Sequence, residues 1–347
     1  MKSENSVQIV PGLLSYVIPT LNSAKTLEIC LRAILDQKSS IPYEIVVADA
    51  GSTDQTLEIA RRMGVKTLVE NPLRTGEAGK SAGIRAARGE FIALVDSDNI
   101  LPDEQWLNRM MAPFEDPEIM ASEPISYTVR PGDPALTRYF ALLGMNDPVC
   151  LFTGNYDRYS AITGRWTALP VGEEARDGYI KVTLSEEALP TIGANGFLFR
   201  RSLLKTANWD PYFFDIDVMH QAVLAGFNRV AKVRTGIVHL YCARLADFAR
   251  KQKRRIRDFL FFAQEKQRTY PWDRQKKGGI VRFVLSTGLL FPLFFQMAAG
   301  AVRHPDRAWW YHLPVCWLTL WIYGWATLRK LLGFRQAPVR RDSWQAK

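Results

Sequence analysis

Short apolar runs alternate with amphipathic segments over the first hundred residues, and this alternation limits the chain to one class of fold. The strand-length runs lie at 13–18, 44–48, 65–69 and 91–96. The segments with helical spacing lie at 26–37, 54–63 and 81–87. Strands that alternate with helices predict βαβ units, whose crossovers make the strands parallel and cover both faces of the sheet. We therefore expect a Rossmann-like α/β domain over residues 1–245, with a mostly parallel sheet and helices on both faces.

The net charge of +10 at pH 7 is confined to the last third of the chain. Residues 1–243 hold 24 Lys and Arg against 29 Asp and Glu, whereas residues 244–282 hold 13 against 4. An acidic first part repels nucleic acid, so we expect no nucleic-acid partner. The basic segment borders the most apolar part of the chain, which favours anionic membrane lipids as its partner.

Two apolar runs near the C-terminus predict a membrane hairpin. Residues 283–302 and 308–328 are each long enough, at ~1.5 Å per residue, to cross a ~30 Å hydrocarbon core. The Lys and Arg residues on both flanks place these flanks in the cytoplasm by the positive-inside rule. A buried helical hairpin in a soluble protein is the alternative. The expected regions are a basic amphipathic interfacial region at 246–278, a two-helix transmembrane hairpin at 279–330 and a basic cytoplasmic tail at 331–347.

The N-terminus and the cysteines fit a cytoplasmic setting. The segment MKSENSVQIVPG lacks the apolar stretch of a secretion signal. The four cysteines lie far apart and form no CxxC pair, so we expect reduced thiols and no cysteine zinc site. We therefore expect a multi-pass cell-membrane protein whose α/β domain is cytoplasmic.

Asp96 and Asp98 form an Asp-x-Asp pair directly after a hydrophobic strand. Ligands bind at the carboxyl edge of a parallel sheet. Two carboxylates there can hold a hard divalent cation that also binds a diphosphate. The alternative is a helix N-cap and turn built by Asp98, Asn99 and Pro102.

Three further segments lie at the same predicted edge. IPTLN (18–22) ends the first strand, and VVADAGSTDQT (46–56) places Asp49 at the end of the second, where it can accept from a base or a ribose. A capping loop for the next helix is the alternative. The glycine-rich segment GEAGKSAGIRAARGE (76–90) opens a helix whose amides, together with Lys80, can attract phosphate. Its spacing fits neither a P-loop nor GxGxxG, which disfavours an NTPase and a dehydrogenase.

Together these segments resemble the family 2 glycosyltransferases of the GT-A fold. The resemblance covers about residues 11–245 and ends in a strand that closes with His239. It rests on the order of PTLN, VVADAGSTDQT, KSAGIRAARGEFIALVDSDN, GANGFLFRR and FDIDVMHQAVLAGF. Residues 128–192, rich in Gly, Pro, Tyr and Thr, are then expected to form an insertion on the acceptor side.

The resemblance implies a nucleotide-sugar donor, linked to UDP or GDP, and a divalent metal, Mg²⁺ or Mn²⁺. It implies a donor site formed by Pro19, Thr20, Asn22, Asp49, Ser52, Lys80, Asp96, Ser97 and Asn195. It implies a metal site formed by Asp98, Asp96 and His239, although a core or turn histidine is an equal alternative for His239.

Asp215 is the implied general base, which deprotonates an acceptor hydroxyl in a single displacement with inversion. Asp217 is the rival base or a helix cap. Phe214 stands before Asp215, where the family commonly has an acid. If the acceptor is an ionised lipid phosphate, no strong base is required and Asp215 orients the acceptor or the sugar instead.

We therefore expect an inverting, metal-dependent glycosyltransferase at the cytoplasmic membrane face, acting on a lipid-linked or cell-surface glycan. A polyprenyl-phosphate glycosyltransferase, with dolichyl or undecaprenyl phosphate as acceptor, is the first alternative. A catalytically inactive GT-A-like membrane scaffold is an alternative of another class, and a sugar nucleotidyltransferase is a further one.

Overall fold

The computed structural model describes residues 7–271 and 277–334, which form two compact units. The first unit comprises Pro170–His239 and the described residues up to Ile125. The second comprises Ser126–Leu169 and the described residues from Leu240 onward. The segment expected as an acceptor-side insertion is therefore divided, with its first part in the second unit and its last part in the first.

The strands are β1 (Val10–Thr20), β2 (Tyr43–Asp49), β3 (Thr67–Glu70), β4 (Gly89–Leu94), β5 (Asn99–Ile100), β6 (Ala121–Tyr127), β7 (Gly172–Arg176), β8 (Tyr179–Thr183), β9 (Phe197–Arg200) and β10 (Arg229–His239). The helices are α1 (Ala24–Leu35), α2 (Thr56–Arg62), α3 (Gly76–Ala86), α4 (Trp106–Met111), α5 (Ala135–Leu143), α6 (Val149–Thr153), α7 (Asp215–Leu224), α8 (Leu245–Gln264), α9 (Lys277–Leu289), α10 (Phe291–Arg303) and α11 (His312–Leu331).

The sheet of the first unit is mixed. Its strand order is β3-β2-β1-β4-β9-β6-β10-β8-β7, and β5 pairs with β10. The strand β1 is parallel to β2 and β4, and β2 is parallel to β3. The strand β9 is antiparallel to β4 and β6, and β8 is antiparallel to β7 and β10.

The expectation of a mostly parallel sheet is thus wrong beyond β4. Parallel neighbours need a crossover of a dozen or more residues, and the alternation that supplies such crossovers ends with the first four strands. The strands β7 and β8 are joined by a two-residue turn at 177–178, so they must run antiparallel.

The helix α3 packs closely against β1, and glycines make this approach possible. A Cβ at Gly79 would lie 2.8 Å from Pro19 Cβ, and one at Gly83 would lie 2.4 Å from Val17 Cγ1. The helix begins at Gly76, earlier than the expected residue 81, because the Thr75 side chain caps it by accepting from the Ala78 amide at 3.0 Å. This cap fixes the start of the helix that carries Lys80.

The second unit is built around a cluster of apolar side chains from α5, α6, α8 and the later helices. Tyr139 and Phe140 of α5 are 0% and 1% exposed, and Phe248 of α8 is fully buried beside Phe140. Trp309, which follows α10, packs edge-on against Tyr139 with the ring centroids 6.1 Å apart. The segment Ser126–Leu169 and the C-terminal helices therefore share one core.

Within residues 7–271 and 277–334, each helix by itself is too short or too polar to cross a bilayer. Gly278–Leu289 and Phe291–Arg303 reach the required length and apolarity only as a pair, and they are bent by 97°. The bend lies at Leu290, whose φ is 63°, and Pro292 follows it at the start of α10. Proline cannot donate the backbone hydrogen bond that a continuous helix requires. The expected run 283–302 is therefore broken in the middle.

The two-helix transmembrane hairpin expected at 279–330 is thus not confirmed. The run 308–328 begins as a short 3-10 helix at Arg307–Tyr311 and continues as α11. Residues 272–276 of the expected interfacial region and residues 335–347 of the expected tail lie outside the described residues.

Candidate active site

Asp49 lies at the carboxyl end of β2, directly opposite Thr20 at the end of β1. Its side chain is largely buried, at 7% exposed, and it accepts hydrogen bonds from the chain itself. Oδ1 accepts from the hydroxyls of Thr20 and Ser52, at 2.8 and 2.6 Å. Oδ2 accepts from the amides of Gly51 and Ser52, at 3.0 and 2.8 Å. Asp49 therefore fixes the turn after β2.

Asn22 joins the ends of β1 and β2. Its backbone has a φ of 49°, and its amide donates to Ser52 Oγ at 2.8 Å. Its side-chain Oδ1 accepts from the Thr53 amide at 2.8 Å. Pro19 precedes this corner and lies against Gly79 of α3. The expected donor residues of the first two strands thus form one connected corner of the first unit.

The Asp96–Asn99 turn follows β4 at the same edge of the sheet. Asn99 Oδ1 accepts from the Asp96 amide at 2.9 Å, and the Asn99 amide donates to the Asp96 carbonyl at 2.8 Å. Asn99 Nδ2 donates to Asn195 Oδ1 at 3.0 Å, and Ser97 Oγ bonds to Ser23 Oγ at 2.9 Å. Asn99 is fully buried, so it ties the Asp-x-Asp turn to the loop before β9.

Asp98 and His239 meet at this turn. Strand register places His239 opposite Asn99, and His239 Nε2 lies 3.5 Å from Asp98 Oδ1. A carboxylate oxygen is an ordinary ligand of both Mn²⁺ and Mg²⁺, whereas an imidazole nitrogen suits a transition ion such as Mn²⁺ better than Mg²⁺. Among the described residues, no group of three or more His, Cys, Asp or Glu side chains could hold a metal. The Asp98 carboxylate and the His239 imidazole are close enough to serve as two ligands of one ion.

Lys80 and Asp215 form an ion pair that brings α3 and α7 together across 135 residues of sequence. Lys80 Nζ lies 2.7 and 2.8 Å from the two carboxylate oxygens. Lys80 is buried, whereas the Asp215 side chain keeps 27% of its surface exposed. Lys80 was expected at the donor phosphate, and its nearest charged partner in the structure is Asp215.

Burial is the main cause that raises the pKa of Asp215 to about 7. The Lys80 cation opposes this rise, and the Asp96 and Glu77 carboxylates reinforce it. Burial also acts to lower the pKa of Lys80, but the Asp215 and Asp96 carboxylates outweigh it and raise that pKa. Lys80 therefore remains cationic between two carboxylates at neutral pH.

The two carboxylates of the DID segment have different surroundings. Asp215 is the first residue of α7, accepts from Lys80, and keeps 27% of its side chain exposed. Asp217, two residues later, is only 2% exposed. Of these two carboxylates, Asp215 is the more accessible.

Gly193 makes room for Asp215. A Cβ at Gly193 would lie 2.8 Å from Asp215 Cβ, and its φ of 122° suits glycine. The Gly193 amide donates to Glu123 Oε1 at 3.2 Å. Glu123 Oε2 in turn accepts from Lys232 Nζ at 2.8 Å, and both of these side chains are 0% exposed. This buried pair supports the loop beside Asp215.

Sequence reasoning missed Glu123 and Lys232. The available signal was that Glu123 is the one charged residue of ASEPISY and that Lys232 has only apolar neighbours on either side in RVAKV. A buried lysine needs a carboxylate partner, but the sequence does not say which one.

Residues 15–168 match the family model described as glycosyl transferase family 2. Glycosyltransferase AglE of Haloferax volcanii is 30% identical over 138 residues, which are 38% of this chain and 45% of AglE. Chondroitin synthase of Pasteurella multocida is 31% identical over 121 residues, which are 33% of this chain and 12% of that protein. The matched region is thus less than half the length of either relative.

A solved structure shares the fold. The mannosyltransferase PcManGT from Pyrobaculum calidifontis, in complex with GDP-Man and Mn²⁺, superposes with a TM-score of 0.50 at 19% identity. The superposition covers 92% of this chain and 87% of PcManGT. The family match and the shared architecture agree with the motifs at the carboxyl edge of the sheet. Residues 15–168 are therefore similar to the family 2 glycosyltransferases, and the chain shares the GT-A fold of the solved mannosyltransferase.

Proposed function

We propose that this chain is an inverting, metal-dependent glycosyltransferase that moves a sugar from a UDP- or GDP-linked donor to an acceptor hydroxyl. One observation carries the proposal. The Asp49 turn, the Asp98–His239 pair and the Lys80–Asp215 pair all lie at the carboxyl edge of the parallel strands in the first unit. An α/β sheet binds its ligands at this edge.

The corner around Asp49 would receive the nucleoside. The hydroxyls of Thr20 and Ser52 occupy Asp49 Oδ1, and a hydroxyl can rotate to another acceptor. A ribose hydroxyl or a base N–H can therefore replace one of them at Asp49, while the amides of Gly51 and Ser52 keep the carboxylate in place.

Asp98 and His239 would hold the divalent cation. When bound, such a cation supplies positive charge that stabilises the departing nucleoside diphosphate. The protein's own contribution is to orient these two ligands. Strand pairing between β5 and β10 fixes His239, and the Asn99 hydrogen bonds fix the turn that carries Asp98.

Asp215 would take the proton from the acceptor hydroxyl as that oxygen attacks the anomeric carbon. Each carboxylate oxygen has two lone pairs, so the bond to Lys80 leaves one lone pair on each oxygen for the acceptor. A pKa of about 7 suits a general base, because efficiency is greatest when the pKa is near the working pH. Lys80 favours the ionised form that a base requires.

We propose the cytoplasmic face of the cell membrane as the location, and a lipid-linked or cell-surface glycan as the acceptor. The second unit supports this location because it combines exposed apolar side chains with exposed basic ones. A polyprenyl phosphate is the alternative acceptor, and it needs no strong base because its attacking oxygen is already ionised.

The first experiment is binding of UDP, GDP and CMP to the detergent-purified chain, with and without Mn²⁺. Metal-dependent binding of one diphosphate, lost in Asp98→Ala and kept in the exposed control Asp177→Ala, is the expected result. If no nucleotide binds under any metal condition, the proposal fails and the inactive scaffold takes its place.

Transfer assays then separate the acceptors. The matching nucleotide sugar is offered with undecaprenyl phosphate or with a lipid-linked glycan, and Asp215→Asn is assayed in parallel. If Asp215→Asn no longer transfers sugar to the glycan, the acceptor is a hydroxyl that needs a base. If the parent chain and Asp215→Asn transfer sugar to undecaprenyl phosphate at comparable rates, the polyprenyl-phosphate acceptor is favoured. The anomeric configuration of the product, read by NMR, tests inversion.

A further inference from the structure

The second unit exposes an apolar surface that is unusual for a protein in water. Most of the large hydrophobic side chains that are exposed among the described residues lie between Ile280 and Phe334. Patches of this kind mark interaction sites or membrane contacts. We call the following residues the apolar surface: Leu285, Leu289, Phe291, Phe295, Trp321 and Trp325, which are 57–75% exposed.

The short segment 303–307 between α10 and α11 is held by residues from the middle of the chain. Asp306 accepts two hydrogen bonds from Arg138 of α5, at 2.8 and 3.0 Å, and these two side chains are 14% and 19% exposed. Arg303 donates to the carbonyls of Ile162 and Ala161, at 2.8 and 3.3 Å. Two independent contacts thus connect this segment to Ser126–Leu169.

These contacts conflict with a hairpin that crosses a bilayer. In such a hairpin the connecting segment 303–307 would lie on the opposite side of the membrane from the start of the first span. The segment Ser126–Leu169 is joined at its two ends to β6 and β7, so it lies on the side of the membrane from which the hairpin would start. Arg138 and Asp306 can form their ion pair only if both lie on the same side.

The lengths of the helices point the same way. α9 and α10 have 13 residues each, or ~20 Å at ~1.5 Å per residue, and the bend between them is 97°. A ~30 Å hydrocarbon core needs about 20 residues in one direction. Two 13-residue helices at a right angle can enter one leaflet and return, with Leu289 and Phe291 at the exposed elbow.

We propose that α9, α10 and α11 form a re-entrant element that inserts the apolar surface into a single leaflet of a bilayer containing anionic lipids. The segment 303–307 then stays on the side of Ser126–Leu169. The charge of the same unit matches an anionic surface, since Arg250, Lys253 and Arg257 of α8 are exposed, as are Arg329 and Lys330 at the end of α11. This inference rests on the membrane location proposed above, but its test does not require sugar transfer.

Cysteine accessibility in sealed membranes tests the topology. His304→Cys reports on the segment between α10 and α11, and Gly132→Cys reports on Ser126–Leu169. Both positions are exposed, and a Cβ at Gly132 meets no atom within 4 Å. Each variant is expressed in bacteria and labelled with a membrane-impermeant maleimide in inverted and in right-side-out vesicles. The parent chain, whose four cysteines are free, sets the background.

The expected result is that both variants are labelled in inverted vesicles and neither in right-side-out vesicles. Labelling of the two variants in opposite preparations shows that the segment 303–307 crosses the membrane, and this overturns the proposal. If both variants are labelled only in right-side-out vesicles, the re-entrant element is supported but the proposed cytoplasmic location is wrong. Recovery of the chain in the soluble fraction overturns both.

Vesicle flotation tests the surface itself. Phe291→Asp is expected to lower the partition coefficient of the purified chain onto phosphatidylcholine–phosphatidylglycerol vesicles at least about tenfold. Moving one Phe side chain from water into an apolar environment raises a partition coefficient by at least this factor. Leu224→Asp, at a residue that is 59% exposed in the first unit, is the matched control and should leave partition unchanged. Equal partition of both variants, with unchanged melting temperatures, would exclude the elbow from the membrane contact.

Discussion

Replacement of Lys80 by Met removes the counter-charge of the proposed base and leaves the base in place. The two N–O distances of 2.7 and 2.8 Å put the cation well within the range at which an opposite charge lowers a carboxyl pKa by about 1–3 units. Burial already raises the pKa of Asp215 to about 7 in the presence of Lys80. Without Lys80 we expect the apparent pKa to rise by a further ~1–3 units.

A base works in its deprotonated form, so activity falls as the pH drops through this pKa. A rise of that size moves the acidic limb of kcat/KM to higher pH. At pH 7 it lowers the rate about 5- to 500-fold, and activity recovers as the pH is raised. The assay is transfer from the matching nucleotide sugar between pH 5 and pH 10. Lys80→Arg keeps the charge and should keep the limb near pH 7.

Nucleotide affinity, measured in parallel by calorimetry, separates an effect on the base from an effect on the donor. The reasoning is refuted if Lys80→Met loses activity while its acidic limb stays near pH 7. In that case Lys80 acts on the donor diphosphate, as the sequence motif implied, and its bond to Asp215 has no part in the chemistry.

Three further outcomes follow from the site. Asp98→Asn is expected to weaken Mn²⁺-dependent binding of the nucleotide at least about tenfold, since even groups that merely support a metal ligand contribute this much, and unchanged calorimetric affinity contradicts it. Lys232→Met leaves Glu123 buried without its cation and should lower the free energy of unfolding by about 3–5 kcal/mol. The double variant with Glu123→Leu should recover most of this loss in urea titrations, and equal losses argue against the pairing. Gly193→Ala puts a Cβ against Asp215 and should lower kcat about 100-fold with unchanged nucleotide affinity. A wild-type kcat in this variant would show that Gly193 is not needed to position Asp215.

Features that depend on local periodicity could be predicted from the sequence. Leu27, Cys30, Leu31 and Ile34 are buried on one face of α1, as their spacing predicts. Leu35 shares this spacing, but it is the last residue of the helix and is 43% exposed. The first four strands were predicted for the same reason, since their pattern is contained within each strand.

Features that depend on contacts between distant segments of the chain could not be predicted from the sequence. Asp98 and His239 were assigned to one metal site through the family resemblance, and the structure places them 3.5 Å apart. Nothing in the spacing of Lys80 and Asp215 announces their ion pair. The order of strands in the antiparallel half of the sheet could not be predicted, because strands and helices no longer alternate regularly after β4.

Pro292 marked a break in the apolar run 283–302, but the run was still predicted to be a membrane span because of its length and apolar composition. A run of 20 apolar residues satisfies the length requirement whether or not the helix is continuous. What decides the outcome is the backbone at Leu290 and the contacts of Arg303 and Asp306, and these involve residues more than 140 positions away.

The division of the second unit along the chain has a consequence for how the protein is made. Tyr139, Phe140 and the rest of α5 leave the ribosome long before Phe248 and Trp309, which cover them. At about 5–20 residues per second, the aromatic face of α5 stays uncovered for roughly ten to thirty seconds of synthesis. A fragment that stops after β10, the obvious cut for a catalytic domain free of the C-terminal helices, keeps that face uncovered permanently. Such a fragment should aggregate, so crystallisation and enzymology call for the whole chain.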